Sequence, residues 1–129
     1  MNTFDWKKNS NVGIHLMNYS SKEEYQRSSI SRFYYSCFGP SKEYYEKAFR
    51  KILSTKDAHK TLINELKNSP FFEEQQLGKK LKKLRKQRNR ADYNKKSRNF
   101  SVEKSKRTVE DIFDILNDLK IHPVRIIKK

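Results

Sequence analysis

Phosphate-binding side chains crowd one stretch of the chain, LKKLRKQRNRADYN at residues 81–94. Between Lys79 and Arg98, eleven Lys or Arg residues accompany a single acid, Asp92. Ammonium and guanidinium groups neutralise nucleic-acid phosphates, so this stretch suits a phosphate-binding track, although a solvated helix face has the same composition. The predicted nucleic-acid-binding residues are Lys79, Lys80, Lys82, Lys83, Arg85, Lys86 and Arg90.

Arg88 differs from its basic neighbours because helical periodicity places it on an apolar stripe with Leu77, Leu81, Leu84 and Ala91. Asp92 lies one turn further along that face. A charge in an apolar seam is costly unless it is paired or faces a groove. Two interpretations stay open: a structural arginine, paired with Asp92 or locking the bundle, and a cation held rigidly for a phosphate.

Few turn-forming residues and a clear apolar periodicity predict that helices position these residues. Only 3 Gly and 3 Pro occur in 129 residues, and 8 Phe, 7 Tyr and 1 Trp supply core material. We expect one all-α domain over residues 1–129, an up-and-down bundle of about five helices with a core at about 21–119 and a basic tail at 120–129. The predicted helices begin near Thr3, Ser20–Ser21, Ser54–Thr55, Phe71 and just after a connection at 97–101.

The second predicted helix carries the longest apolar stripe. Its face comprises Ile30, Tyr34, Cys37, Ser41, Tyr44, Ala48 and Ile52. The stripe keeps its phase across Gly39–Pro40, which favours one kinked helix over two separate ones. Ala58, Leu62 and Leu66 face inward on the third helix, and Val109, Ile112, Phe113, Leu116 and Leu119 share a stripe on the fifth. Ser69–Pro70 is typical of a helix cap, and Pro123 of a helix end.

Charge and composition narrow the class of function. The net charge is +15, from 30 Lys+Arg against 15 Asp+Glu, which favours RNA, DNA or an acidic partner, while a basic surface for solubility is the plain alternative. No cofactor or metal site is predicted, since His15, His59 and His122 are scattered. His59 is interpreted as a bundle histidine and Cys37, the single cysteine, as core. A reducing, cytoplasmic location without membrane insertion is expected.

Three motifs in register resemble the HEPN-domain family: ISRFYYSCF in the second helix, DAHKTLINEL in the third and LRKQRNRADYN ending the fourth. The resemblance covers about Ser21 to Leu119 and is closest to the branch whose fourth helix ends in Ala-Asp-Tyr. It implies a five-helix, up-and-down bundle that commonly forms homodimers. In ribonuclease members, an arginine, a polar residue, three variable residues and a histidine line the dimer cleft and cleave RNA without metal.

The family motif transfers to this chain with one departure. Arg88 takes the arginine position and Asn89 the polar one, but Tyr93 stands where the catalytic histidine would be. An unperturbed tyrosine has a pKa of about 10, so it exchanges protons poorly at neutral pH. The resemblance therefore implies a site of Arg88, Asn89, Asp92 and Tyr93, with Asp92 as a hypothetical base.

These observations leave three functional hypotheses. The first is a dimeric HEPN-type RNA-binding protein of the toxin or antiviral-defence type, with metal-independent ribonuclease activity left open. The second is a non-catalytic interaction module partnered with a nucleotidyltransferase or another protein. The third is a DNA-binding accessory protein, because charge alone does not separate RNA from DNA.

Overall fold

Five helices form the regular structure of the chain in a computed structural model, which describes residues 6–19, 23–54, 56–93 and 102–125. No strand occurs among those residues, as the all-α prediction requires. None of the described helices is long and apolar enough to cross a membrane. The helices are α1 (Trp6–Tyr19), α2 (Glu23–Phe49), α3 (Ala58–Lys67), α4 (Phe72–Tyr93) and α5 (Val102–Ile121).

Helix α2 is the central element and packs against each of the other four. It continues through Pro40, as the phase of its stripe predicted, and Ile30, Tyr34 and Cys37 are fully buried on its inner face. The prediction that Ile52 extends this face is wrong. The helix ends at Phe49, Arg50 has a left-handed φ of 53°, and Ile52 is 91% exposed beyond that turn.

Helix α3 begins later than its predicted start at Ser54–Thr55. Asp57 precedes the helix with a left-handed φ of 56°, and Ala58 is the first helical residue. Leu62 and Leu66 are fully buried, whereas Ala58 is half-buried at the entry. Asp57 therefore sets the direction in which α3 leaves the loop and presents His59 and Lys60 in its first turn.

Helices α3 and α4 approach each other closely at Gly78. A Cβ atom at this position would lie 2.7 Å from the backbone nitrogen of Lys67, so a larger residue requires the two helices to separate. Leu77, Leu81 and Leu84 of the predicted inward stripe of α4 are fully buried, and the side chain of Ala91 lies outside the described residues. This contact holds the basic surfaces of α3 and α4 side by side.

Helix α5 completes the core against α2 and α4. Val109, Ile112 and Leu119 are buried, while Phe113 and Leu116 are half-buried at the border of the predicted stripe. The helix ends at Ile121, shortly before Pro123. The predicted connection at 97–101 lies outside the described residues.

Residues after α5 return to the start of α4 through Arg125. Its guanidinium donates two hydrogen bonds of 2.8 Å to the carboxylate of Glu74, a fully buried residue. Ser69 donates to the same carboxylate at 2.6 Å, and Tyr44 donates to it from α2. Burial alone would raise the pKa of Glu74, but these donors hold it below its ordinary value. The segment that composition marked as a basic tail is thus anchored in its first part.

Candidate nucleic-acid interface

A basic groove of about 300 Å³ lies between α3 and α4. Helix α4 contributes positions spaced three or four residues apart, which form one helix face. Helix α3 contributes residues from two successive turns. The lining side chains are Lys60, Ile63, Asn64, Lys82, Arg85, Lys86 and Asn89. Four cations and two amides around an apolar floor form a surface that can bind successive phosphates.

Positive charge is concentrated along this groove to the point of mutual repulsion. Lys67, at the end of α3, lies beside Lys82 of α4, and that contact lowers the pKa of the Lys67 ammonium. Lys86 and Lys79 act in the same direction through their charge. A polyanion bound here would relieve this repulsion, which is unfavourable in the free protein.

Arg85 connects the groove with the interior of the bundle. It lines the groove and is only half-exposed. Its Nε atom is buried and has no hydrogen-bond partner among the described residues. Because Arg85 lines the groove, its guanidinium group is suited to a bound phosphate oxygen.

Arg88 lies one turn from Arg85 on the inner side of α4. Its guanidinium carbon is 4.8 Å from the ring centre of Tyr35 and 5.5 Å from that of Tyr34, both on α2. Cation–π contacts of this kind stabilise an arginine in an apolar seam. They orient Arg88 in a rigid aromatic setting, and they also serve the structural role that the sequence left open.

His59 joins the same cluster from the first turn of α3. Its ring stacks on Phe38 at 3.9 Å between centroids, and its Nδ1 atom is 2.6 Å from the hydroxyl oxygen of Tyr34. Burial and the neighbouring Arg85 and Arg88 cations lower the pKa of His59 below 6.5. A histidine in this setting is neutral at physiological pH.

Tyr34 is fixed as a neutral hydroxyl group by its surroundings. The side chain is fully buried, and burial raises the pKa of its phenol far above the ordinary value despite the opposing charges of Arg85 and Arg88. Tyr35 packs edge-on against the Tyr34 ring with centroids 5.5 Å apart and is half-buried. The two tyrosines therefore act mainly in packing.

The predicted site residues separate in the structure. Asn89 lines the groove with Lys82, Arg85 and Lys86. Lys79, Lys83 and Arg90 are exposed on α4. The side chains of Asp92 and Tyr93 lie outside the described residues, so their roles stay predictions.

Lys80 faces a different neighbour from the other basic residues of α4. Its Nζ atom is 3.1 Å from a carboxylate oxygen of Asp111 on α5. The two residues line a second groove, between α4 and α5, which also includes Phe72, Asp114 and Asp118. Lys80 therefore lies outside the α3–α4 groove, apart from Lys82, Arg85 and Lys86, with which the sequence grouped it.

Sequence reasoning missed the contribution of α3 to the site. Lys60 and Asn64 are one turn apart, a spacing that could have identified them as one polar face beside α4. Cys37 is fully buried, and burial raises its thiol pKa to about 12, in agreement with its prediction as core. No cluster of three His, Cys, Asp or Glu side chains suited to a metal occurs in the described part of the chain.

No protein-family model, curated protein or solved structure matches the chain significantly.

Proposed function

We propose that the chain is a HEPN-type RNA-binding protein that holds single-stranded RNA in the α3–α4 groove and cleaves it without a metal ion. The observation that carries this proposal is the groove itself, where four cations from two helices surround about 300 Å³. The spacing of these cations along α4 suits successive phosphates of an extended strand. The asparagines on either side supply amide groups for sugars, bases or phosphate oxygens.

Cleavage is proposed beside Arg85, which lines the groove and has Arg88 one turn further along α4 on its inner side. Two guanidinium groups in a partly buried setting stabilise the extra negative charge of a pentavalent phosphate. Asn89, adjacent to Arg88 in sequence and lining the groove, would orient the same phosphate. A homodimer, a role in toxin–antitoxin or antiviral defence and a cytoplasmic location belong to this proposal through the family resemblance.

RNA binding is tested with a fluorescently labelled single strand and anisotropy. The double variant Lys82→Glu/Lys86→Glu reverses two groove charges, and Lys47→Glu/Arg107→Glu reverses two exposed charges on α2 and α5. The groove variant should bind far more weakly than the control variant. Equal losses in the two variants would show that net charge, not the groove, determines binding.

Cleavage is tested by incubating single-stranded RNA with the protein in excess EDTA. The wild type should release products with a 2′,3′-cyclic phosphate, because the RNA's own 2′-hydroxyl is the nucleophile. Arg88→Ala should abolish cleavage, and a substrate with deoxyribose at the cut position should resist it. Light scattering in the same buffer tests the homodimer.

The rival function is a non-catalytic module that docks a nucleotidyltransferase or another acidic protein. Arg88 favours it, since its contacts with Tyr34 and Tyr35 give this residue a packing role without any substrate. Intact RNA in every EDTA assay, together with groove-dependent binding of an acidic protein, would replace the enzyme proposal with this one.

A further inference from the structure

His59 and Tyr34 form a polar contact within an otherwise aromatic cluster. The hydroxyl of Tyr34 lies 2.6 Å from Nδ1 of His59, which gives the ring a fixed orientation in the plane. Phe38, stacked at 3.9 Å, fixes the tilt of the same ring. One ring nitrogen is thereby occupied, and Nε2 is left for another partner. An oriented imidazole beside two guanidinium groups is an arrangement suited to proton transfer at a phosphate ester.

We propose that His59 is the proton-accepting catalytic residue of the site and that its Nε2 atom takes the proton of the RNA 2′-hydroxyl group. This inference rests on the RNA cleavage proposed above. It adds a catalytic residue from α3 to the site residues that the sequence predicted on α4. In this role Nδ1 carries the ring proton and donates a hydrogen bond to the hydroxyl oxygen of Tyr34. Tyr34 is then a positioning residue.

The reaction is a transesterification that needs no co-reactant. The 2′-oxygen attacks phosphorus and forms a new bond as its proton passes to Nε2 of His59. The bond between phosphorus and the 5′-oxygen then breaks, and the leaving oxygen takes a proton from solvent. His59 releases its own proton to solvent, so the products are a 2′,3′-cyclic phosphate and a 5′-hydroxyl. Arg85 and Arg88 stabilise the negative charge that develops on the phosphate oxygens.

The surroundings of His59 keep it in the form that this step requires. Two helices supply the groups that face it: Tyr34, Tyr35 and Phe38 from α2, and Arg85 and Arg88 from α4. Burial and the two cations lower the pKa of the imidazole below 6.5, so the neutral base predominates at pH 7. The negative charge of a bound RNA phosphate would partly offset the two cations. The pKa of the imidazole would then rise towards the pH of the reaction.

The decisive experiment measures the pH dependence of RNA cleavage in EDTA, with RNA binding recorded in parallel. The wild-type kcat/KM, which reports the free protein, should rise with pH and level off above the lowered pKa of His59. His59→Gln should lose about 10²–10⁴-fold in rate while it retains RNA binding. His122→Gln, which removes an exposed histidine beyond α5, should match the wild type.

The variant Arg85→Gln distinguishes a catalytic His59 from a purely structural one, because only a catalytic His59 links the pH profile of cleavage to the charge of Arg85. Loss of this cation should move the midpoint of the pH profile upward, whereas Arg107→Gln should leave it in place. An NMR titration of the His59 ring in the wild type should give the same pKa as the pH profile of kcat/KM. This comparison needs no variant, and a mismatch would contradict the role of His59.

The outcomes separate this inference from the proposed function. If His59→Gln cleaves RNA like the wild type, the inference is overturned and the ribonuclease stands. If the wild type binds RNA through the groove but never cleaves it, the catalytic role falls and binding stands. If groove-dependent binding is also absent, the proposed function fails as well.

Discussion

The number of groove cations predicts how strongly RNA binding depends on salt. Lys60, Lys82, Arg85 and Lys86 line the groove, so up to four phosphates are neutralised when a single strand fills it. Each neutralised phosphate contributes about −0.7 to the slope of log affinity against log salt, which gives about −2.8 for the wild type. From about 50 to about 200 mM salt the affinity should therefore fall about 50-fold.

The variant Lys82→Gln/Lys86→Gln removes two of these four charges. Its slope should be about −1.4, so the same rise in salt should weaken binding only about 7-fold. The measurement is fluorescence anisotropy with one labelled RNA at four salt concentrations and constant pH. Lys47→Gln/Arg107→Gln is the matched control, because it removes two exposed charges outside the groove. Equal slopes for the groove and control variants would refute the assignment of the phosphate track to α3 and α4.

Three further predictions concern stability. Arg125→Ala leaves the buried Glu74 carboxylate without its charged partner. The free energy of unfolding should therefore fall by about 2–3 kcal/mol at pH 7, and Tm by about 10 °C. The deficit should shrink at acid pH, where the variant can protonate Glu74; an unchanged Tm would contradict this role. Gly78→Ala forces α3 and α4 apart and should cost about 1–3 kcal/mol in urea denaturation, since its Cβ would meet Lys67 at 2.7 Å; wild-type stability would mean that the helices separate freely. Neutral His59 contributes fully to the free energy of unfolding above pH 6.5. This contribution should be lost as the pH falls below that value, because the unfolded state binds the proton first. In His59→Gln the Tm should depend less on pH in this range, and an equally steep dependence of Tm on pH would contradict the lowered pKa.

The helices could be predicted because each carries a periodic apolar stripe, and α4 shows how far that reasoning extends. Leu77, Leu81 and Leu84 are fully buried as expected, and Arg88 lies on the same inner side. Helix ends were less predictable, since the end of α2 depends on the left-handed backbone of Arg50. Local composition does not specify that turn.

The candidate site could be predicted only where it is local in sequence. Lys82, Arg85, Lys86 and Asn89 lie on one helix face, and their spacing is visible in the sequence. The contact of His59 with Tyr34 joins residues 25 positions apart on two helices, so it follows from tertiary packing and not from any motif. The pairing of Arg125 with Glu74 spans 51 positions and was invisible for the same reason.

The two grooves beside α4 differ in charge, and that difference bears on how a partner approaches. One side carries the lysines and Arg85 facing α3, while the other carries Asp111, Asp114 and Asp118 of α5, with Lys80 paired to the first of them. An approaching polyanion is attracted to the former and repelled from the latter. The resulting torque turns the protein during diffusion so that encounters occur with the α3–α4 groove foremost, which accelerates productive association at low ionic strength.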